Sequence, residues 1–266
     1  MARYDFIEEV NKNIDIIEHV EKFNPYHDAR GRFTSGGTGA VSFSGTAGQM
    51  RNYGQKKQEF DAMMAGKDTA SAEIAKNMVA AAAKREPEIT KTIQDSIADV
   101  PGATMVGLDY KLKGEGSLHR KIRDESIEKG ITPEEAAKKM YDVNRYTVQN
   151  DEKNLTATIK NTLSTMEKQG YEVMRVKNTL AKEDAEYRGI NMVVKAKDGG
   201  MFELQFHTQK SLEIKEVNHK LYEKQRESTT SRAEKIRLGE EMRANAKSIP
   251  TPDDIGTIET FNNLPK

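Results

Sequence analysis

The clearest pattern in the chain is the alternation over Met201-Phe-Glu-Leu-Gln-Phe-His-Thr208. Phe202, Leu204 and Phe206 fall on one side of an extended strand, and Glu203, Gln205 and His207 on the other, about 7 Å apart along it. The first side suits a core, and the second presents a carboxylate, an amide and an imidazole. Apolar runs predict further strands at 103–108, 143–148, 171–176 and 190–196, and Lys197-Asp-Gly-Gly200 reads as the hairpin joining the last of these to 201–206. Helical spacing dominates 55–98, where Phe60, Met63, Met64, Ile74, Met78, Val79 and Ala82 recur every three or four residues. Pro87 is expected to start a new helix there, with Ile89, Ile93 and Ile97 on one stripe. Further helices are predicted over 116–129, from the cap Thr132-Pro-Glu-Glu135, over 155–169 closed by Gly170, and over 212–226 and 232–246. Beyond Pro250-Thr-Pro252 the polar tail is expected to fray.

This order of elements predicts an α+β fold, with a mixed β-sheet of about five strands flanked by helices. The expected organisation is a flexible leader over 1–50, a helical segment over 51–100, a sheet-bearing domain over 101–230, and a C-terminal helix and tail over 231–266. The leader is rich in Gly, Ser and Thr, and holds too few apolar residues to offset about 1–2 kcal/mol of backbone entropy per ordered residue. Lys+Arg and Asp+Glu number 42 each, so no global field draws the chain to nucleic acid or an acidic membrane. Without cysteine there is neither a disulfide nor a thiolate metal site. A charged fraction of 32% and a mean hydropathy of −0.78 are polar for one globule. With no apolar run near the ~18 residues that span a bilayer, a soluble, cytoplasmic protein is expected.

Several residues could carry chemistry. Between Tyr110 and Arg123 the cations Lys111, Lys113, Arg120, Lys121 and Arg123 surround two glycines and Ser117, which suits a phosphate cradle at a helix start. Taken alone, the same stretch is a solvated basic helix face. Asp142 at the mouth of a strand is a possible Mg²⁺ ligand, since magnesium prefers carboxylate oxygens plus substrate phosphates, although an isolated Asp there is more often a turn residue. Glu203 on another strand could share that ion and orient or deprotonate a hydroxyl.

Together these segments resemble, motif by motif and in order, the synthetase domain of RelA/SpoT-type enzymes. Lys111, Lys113, Ser117 and Lys121 fall on its basic motif, with Lys111 in place of an arginine and Gly114 in place of a serine. Asp142 matches its Asp, while Arg145 stands three residues on where the family spaces its Arg five on. Val176-Lys177-Asn178 resembles its Lys-Asp-Tyr-Ile segment. Tyr187-Arg188-Gly189-Ile190-Asn191 resembles Tyr-Arg-Ser-Leu-His, and Glu203, Gln205, His207 and Thr208 resemble its Glu-x-Gln-x-Arg-Thr. His219 and Tyr222 match a following His-x-x-Tyr, with ordinary helix packing the equal alternative. The resemblance implies transfer of pyrophosphate from ATP, with Mg²⁺, to a nucleotide or tRNA 3′-hydroxyl. In it Asp142 and Glu203 are the catalytic and metal residues. Lys111, Lys113, Ser117, Lys121, Arg145, Lys177, Tyr187, Arg188, Asn191, Gln205 and His207 bind nucleotide, Tyr187 by stacking.

Phe23 to Gly36 resembles the segment that ends the head-morphogenesis region of Mu-like phage minor head proteins. That implies a phage-encoded toxin or effector, in the host cytoplasm or on the virion, with head components and an antitoxin or immunity protein as partners. The competing readings are an inactive head-associated structural protein and an ADP-ribosyltransferase. The second lacks a strand-borne Glu-x-Glu, and its Ser-Thr-Thr-Ser falls in a loop at 228–231.

Overall fold

The computed structural model describes residues 47–227 and 229–265. The chain divides into two compact units, 1–59 and 60–266. The first is described only from residue 47, as helix; the sheet and every candidate site residue described belong to the second. The leader's resemblance at Phe23 to Gly36 lies outside the described residues.

The first helix, α1, runs unbroken over Ala47–Ile97 with Pro87 inside it, where a fresh helix was expected to begin. Proline removes one donor and pushes the preceding turn's carbonyls outward. Two side chains at the start of the second strand meet carbonyls around that point: Asn144, just before it, donates from Nδ2 to Ala82 O at 3.3 Å, and Tyr146, within it, from Oη to Glu86 O at 3.2 Å. Ile89, Ile93 and Ile97 are buried just beyond it, so tertiary burial carries the helix through.

After β1 (Thr104–Val106) and a 3₁₀ turn come α2 (Glu115–Glu128) and α3 (Pro133–Ala137). The Thr132 capping box forms as expected, with Glu135 as its return partner. Then follow β2 (Arg145–Gln149), α4 (Glu152–Lys168), β3 (Glu172–Asn178), β4 (Ile190–Lys195) and β5 (Met201–His207). Last come α5 (Gln209–Arg226), α6 (Arg232–Lys247) and β6 (Phe261–Asn262). The β4–β5 turn places Gly199 at φ 85, a conformation that favours glycine.

The fold is α+β, with a six-stranded sheet ordered β1-β2-β5-β4-β3-β6. β2 and β5 run parallel and all other neighbours antiparallel. Tyr146, Val148, Leu204, Phe206, Met192, Val194 and Val176 form its apolar face, packed with the isoleucines of α1 and with Leu155, Ile159 and Met166 of α4. A second cluster joins Ala75 and Ala82 of α1 to Leu118 and Ile122 of α2, Ala136 of α3, and Met140 and Val143.

The C-terminal tail does not fray. Ile249, Ile255 and Ile258 join the main core, Asn178 Nδ2 donates to the carbonyls of Ile255 and Ile258, and β6 adds a sixth strand beside β3. Apolar residues spaced beyond the two prolines outweigh the polar composition around them.

Candidate active site

Paired residues on neighbouring strands share a face, so the register defines what lies opposite the core. One row reads Arg175, Val193, Glu203, Arg145 across β3, β4, β5 and β2. The next reads Lys177, Asn191, Gln205, Thr147. Glu203 therefore sits between an apolar neighbour and a guanidinium-bearing one. Gln205, nearly buried, donates from Nε2 to Glu203 Oε1 and accepts at Oε1 from Lys215 Nζ of α5 at 2.8 Å. Burial and the charge of Arg145 push the Lys215 ammonium below its ordinary value, against Glu216 and Glu203. Arg175 Nη2 donates to Asn191 Oδ1 at 3.3 Å, and its guanidinium lies 6.0 Å from the Tyr141 ring centroid. Its buried Nε has no hydrogen-bond partner among the described residues.

Tyr187 and His207 form a locked pair. His207 is 0% exposed, with Nε2 2.9 Å from Tyr187 Oη and Nδ1 2.8 Å from Ser211 Oγ. Ser211 Oγ donates to Thr208 O at 3.1 Å, so it accepts from His207 Nδ1–H, which leaves Nε2 to accept the tyrosine hydroxyl. That assigns a neutral imidazole. Burial, then the Lys215 charge, push it down to about 3. Burial and the neighbouring Glu203 charge hold the Tyr187 hydroxyl far above its ordinary value, with Arg145 opposing. The pair needs Gly189. A Cβ there would lie 2.4 Å from His207 Cε1 and 2.8 Å from Tyr187 Oη.

The basic segment gathers around Asp142 just before β2. Lys113 Nζ and Lys121 Nζ meet its two carboxylate oxygens at 3.1 and 2.9 Å, and the carboxylate side chain is 16% exposed. Burial alone would raise the Asp142 carboxyl, but the two ammonium groups outweigh it and hold it below the usual carboxylate value. The backbone knits this cluster to Glu203: Glu203 N–H donates to Asn144 O at 3.0 Å, and Arg145 N–H to Lys111 O at 2.9 Å. Lys111 itself pairs with Glu86 of α1 at 3.0 Å, and Ser117 is exposed in the first turn of α2.

Thus Arg145, Asn191, Glu203 and Gln205 share the polar sheet face with Lys177, and Lys113, Lys121 and Asp142 form the adjoining cluster. Three expectations change. Arg188 turns away from nucleotide: 3% exposed, it donates to the carbonyls of Leu180, Ala246 and Ile249 and to Thr251 Oγ1, clamping the C-terminal tail, because a buried guanidinium needs acceptors and these are the ones it meets. His207 is a prop for Tyr187, since its burial and both its hydrogen bonds exclude a phosphate contact. His219 and Tyr222 are exposed on α5, where Arg226 stacks on Tyr222 at 5.9 Å. Sequence reading missed Lys215 and Arg175. Arg175 stands two residues before Lys177, a spacing that puts both on one strand face and could have found it.

Among the described residues no cluster of three or more His, Cys, Asp or Glu could hold a metal alone, and no helix is long and apolar enough to cross a membrane.

In overall structure the chain is similar to the small alarmone synthetase 1 of Bacillus subtilis bound to its product pppGpp, at 16% identity over 64% of this chain and 88% of that one, with a TM-score of 0.43. It is similar to a GTP pyrophosphokinase family protein from Streptococcus pneumoniae at 16% identity, over 70% and 91% of the two chains, with a TM-score of 0.44. It is also similar to the type VI effector Tas1 in complex with its immunity protein, at 16% identity over 64% and 93%, with a TM-score of 0.43. No family model matches the chain, and no curated protein matches it.

Proposed function

We propose that the chain is a pyrophosphokinase that moves the β,γ-pyrophosphate of ATP to the 3′-hydroxyl of a nucleotide or of a tRNA end, acting as an effector. The observation that carries this reading is Glu203 in the row Arg175, Val193, Glu203, Arg145, on the sheet face opposite the core, with its backbone tied to the loop of Asp142, Lys113 and Lys121. Transfer of this kind demands positioning and charge neutralisation more than covalent participation.

Lys113 and Lys121 would exchange their contacts with Asp142 for triphosphate oxygens. Tyr187, held at its hydroxyl by His207, would offer its ring to the acceptor base. Glu203 would take the proton of the attacking hydroxyl as the oxygen bonds to the β-phosphorus and the bridge from the β-phosphorus to the α-phosphate breaks, releasing AMP. The donor set fits magnesium, whose sites use one or two carboxylates completed by phosphate oxygens, so Asp142 and Glu203 would hold it. Bound there, it would neutralise phosphate charge.

Incubation with γ-labelled ATP, Mg²⁺ and a panel of GDP, GTP, ADP and total tRNA should transfer label to an acceptor. Glu203→Gln should stop transfer while ATP still binds. Tyr187→Ala should lower kcat/KM for the acceptor about 10- to 100-fold, since base stacking is worth roughly 1–3 kcal/mol. Full activity in both variants sinks the proposal.

A further inference from the structure

The hydrogen bond between Gln205 and Glu203 is not a simple strand-face contact, because the other end of the amide is held by Lys215. Lysine can only donate and an ionised carboxylate can only accept, so the amide has one consistent orientation: Oε1 toward Lys215, Nε2 toward Glu203. The donation from Gln205 engages one lone pair of Glu203 Oε1 and makes Oε2 the more available oxygen for a proton. Lys215 is half-buried on α5, one turn after Ser211, which carries the His207 bond. Helix geometry therefore presents both side chains to the same sheet face. Thr208 caps α5 through the Ser211 N–H at 3.0 Å, and this fixes where the helix, and so Lys215, sits relative to β5.

We infer that Lys215 is a positioning residue, acting through Gln205 to orient the Glu203 carboxylate with one oxygen free toward the acceptor hydroxyl. The inference rests on the pyrophosphokinase reading for the role of Glu203, but the relay itself is a property of the fold. Because donation to one end of the amide polarises the other, a lysine at this point strengthens the next bond, from Gln205 to Glu203. Removing the ammonium leaves Gln205 free to rotate, and the Glu203 carboxylate loses its fixed aim.

The test combines kinetics with a measurement that needs no turnover. In the labelled-ATP assay Lys215→Met should lower kcat about 10- to 100-fold and leave the KM for ATP and for the acceptor unchanged. Lys215→Arg, which still donates to Gln205, should recover most of that loss. On top of Gln205→Ala, Lys215→Met should add nothing. A raised acceptor KM with normal kcat would make Lys215 a substrate contact, and additive losses would mean that it does not act through Gln205; either overturns the inference.

In protein labelled with ¹⁵N-glutamine, the Gln205 side-chain amide signal, assigned by its loss in Gln205→Ala, should move upfield in Lys215→Met and again in Glu203→Leu. An amide signal that ignores Lys215→Met overturns the relay whether or not the protein is active. Absence of label transfer by the wild type with every acceptor refutes the pyrophosphokinase reading, and the amide signal then decides the relay alone.

Discussion

Gly189→Ala tests the locked Tyr187–His207 pair. The added methyl would sit 2.4 Å from His207 Cε1 and 2.8 Å from Tyr187 Oη. Gly189 is not in the left-handed region, so backbone strain does not enter and the effect is steric. An imidazole could normally swing aside, but this one is fully buried and bonded at both nitrogens. Overpacking of a tight core costs about 1–3 kcal/mol, and losing the tyrosine–histidine bond adds about 1 kcal/mol. The expected destabilisation is therefore about 2–4 kcal/mol, or roughly 5–15 °C in Tm for a domain of this size. Urea unfolding followed by circular dichroism measures it. The decisive arm is the cycle with His207→Ala. Without the imidazole, Tyr187 can turn away and the methyl has room, so the alanine at 189 should be nearly silent in that background. Equal losses in both backgrounds, or a Gly189→Ala variant within about 0.5 kcal/mol of wild type, would refute the argument.

His207 gives a pH signature. Its native pKa of about 3 lies below the ordinary 6.5, so between these values the unfolded chain takes up a proton that the native state refuses. Stability should therefore fall as pH drops from 6.5 toward 3, and His207→Gln should flatten that slope in urea titrations run at pH 7 and pH 5. Asp142, whose carboxyl is held below its usual value, contributes stability above about pH 4 that disappears as pH falls through its native pKa. Asp142→Asn should accordingly lose most stability near neutrality and little in acid, while stopping label transfer. Arg188→Met should destabilise by at least about 3 kcal/mol, because several buried acceptors lose a charged donor at once. Its KM for ATP should stay normal, and a selective rise in that KM would return Arg188 to the nucleotide site.

The period-two pattern of β5 was legible because alternation alone decides which side chains share a face, and Glu203 and Gln205 lie where it places them. The hairpin at Asp198-Gly199 and the cap at Thr132 were legible for the same local reason. What escaped depended on partners distant in the chain. Pro87 reads as a helix start until Asn144, just before β2, and Tyr146 of β2 approach its turn. Arg188 sits in a motif that suggests ligand contact, yet its acceptors are carbonyls some 60 positions on. Lys215 lies on a helix whose own spacing marks no polar site; only the seating of α5 against β5 gives it Gln205. The tail's isoleucines were visible in the sequence, but the two prolines before them read as a stop.

The insertion of β5 between β2 and β4 bears on how the protein comes to be active. β3 and β4 precede β5 in the chain and pair with each other as a local antiparallel unit, but the Asp142 loop reaches Glu203 only through the parallel β2–β5 ladder. Parallel pairing across an intervening helix and hairpin is a non-local step, which forms slowly because loop closure must come first. Until that ladder zips, the basic cluster and Glu203 are separate. During synthesis the ribosome must therefore release the whole of β5 before Glu203 meets the Asp142 loop, and then α5 before Gln205 gains Lys215. A chain that stops short of this point lacks the juxtaposition of Glu203 with the Asp142 loop altogether.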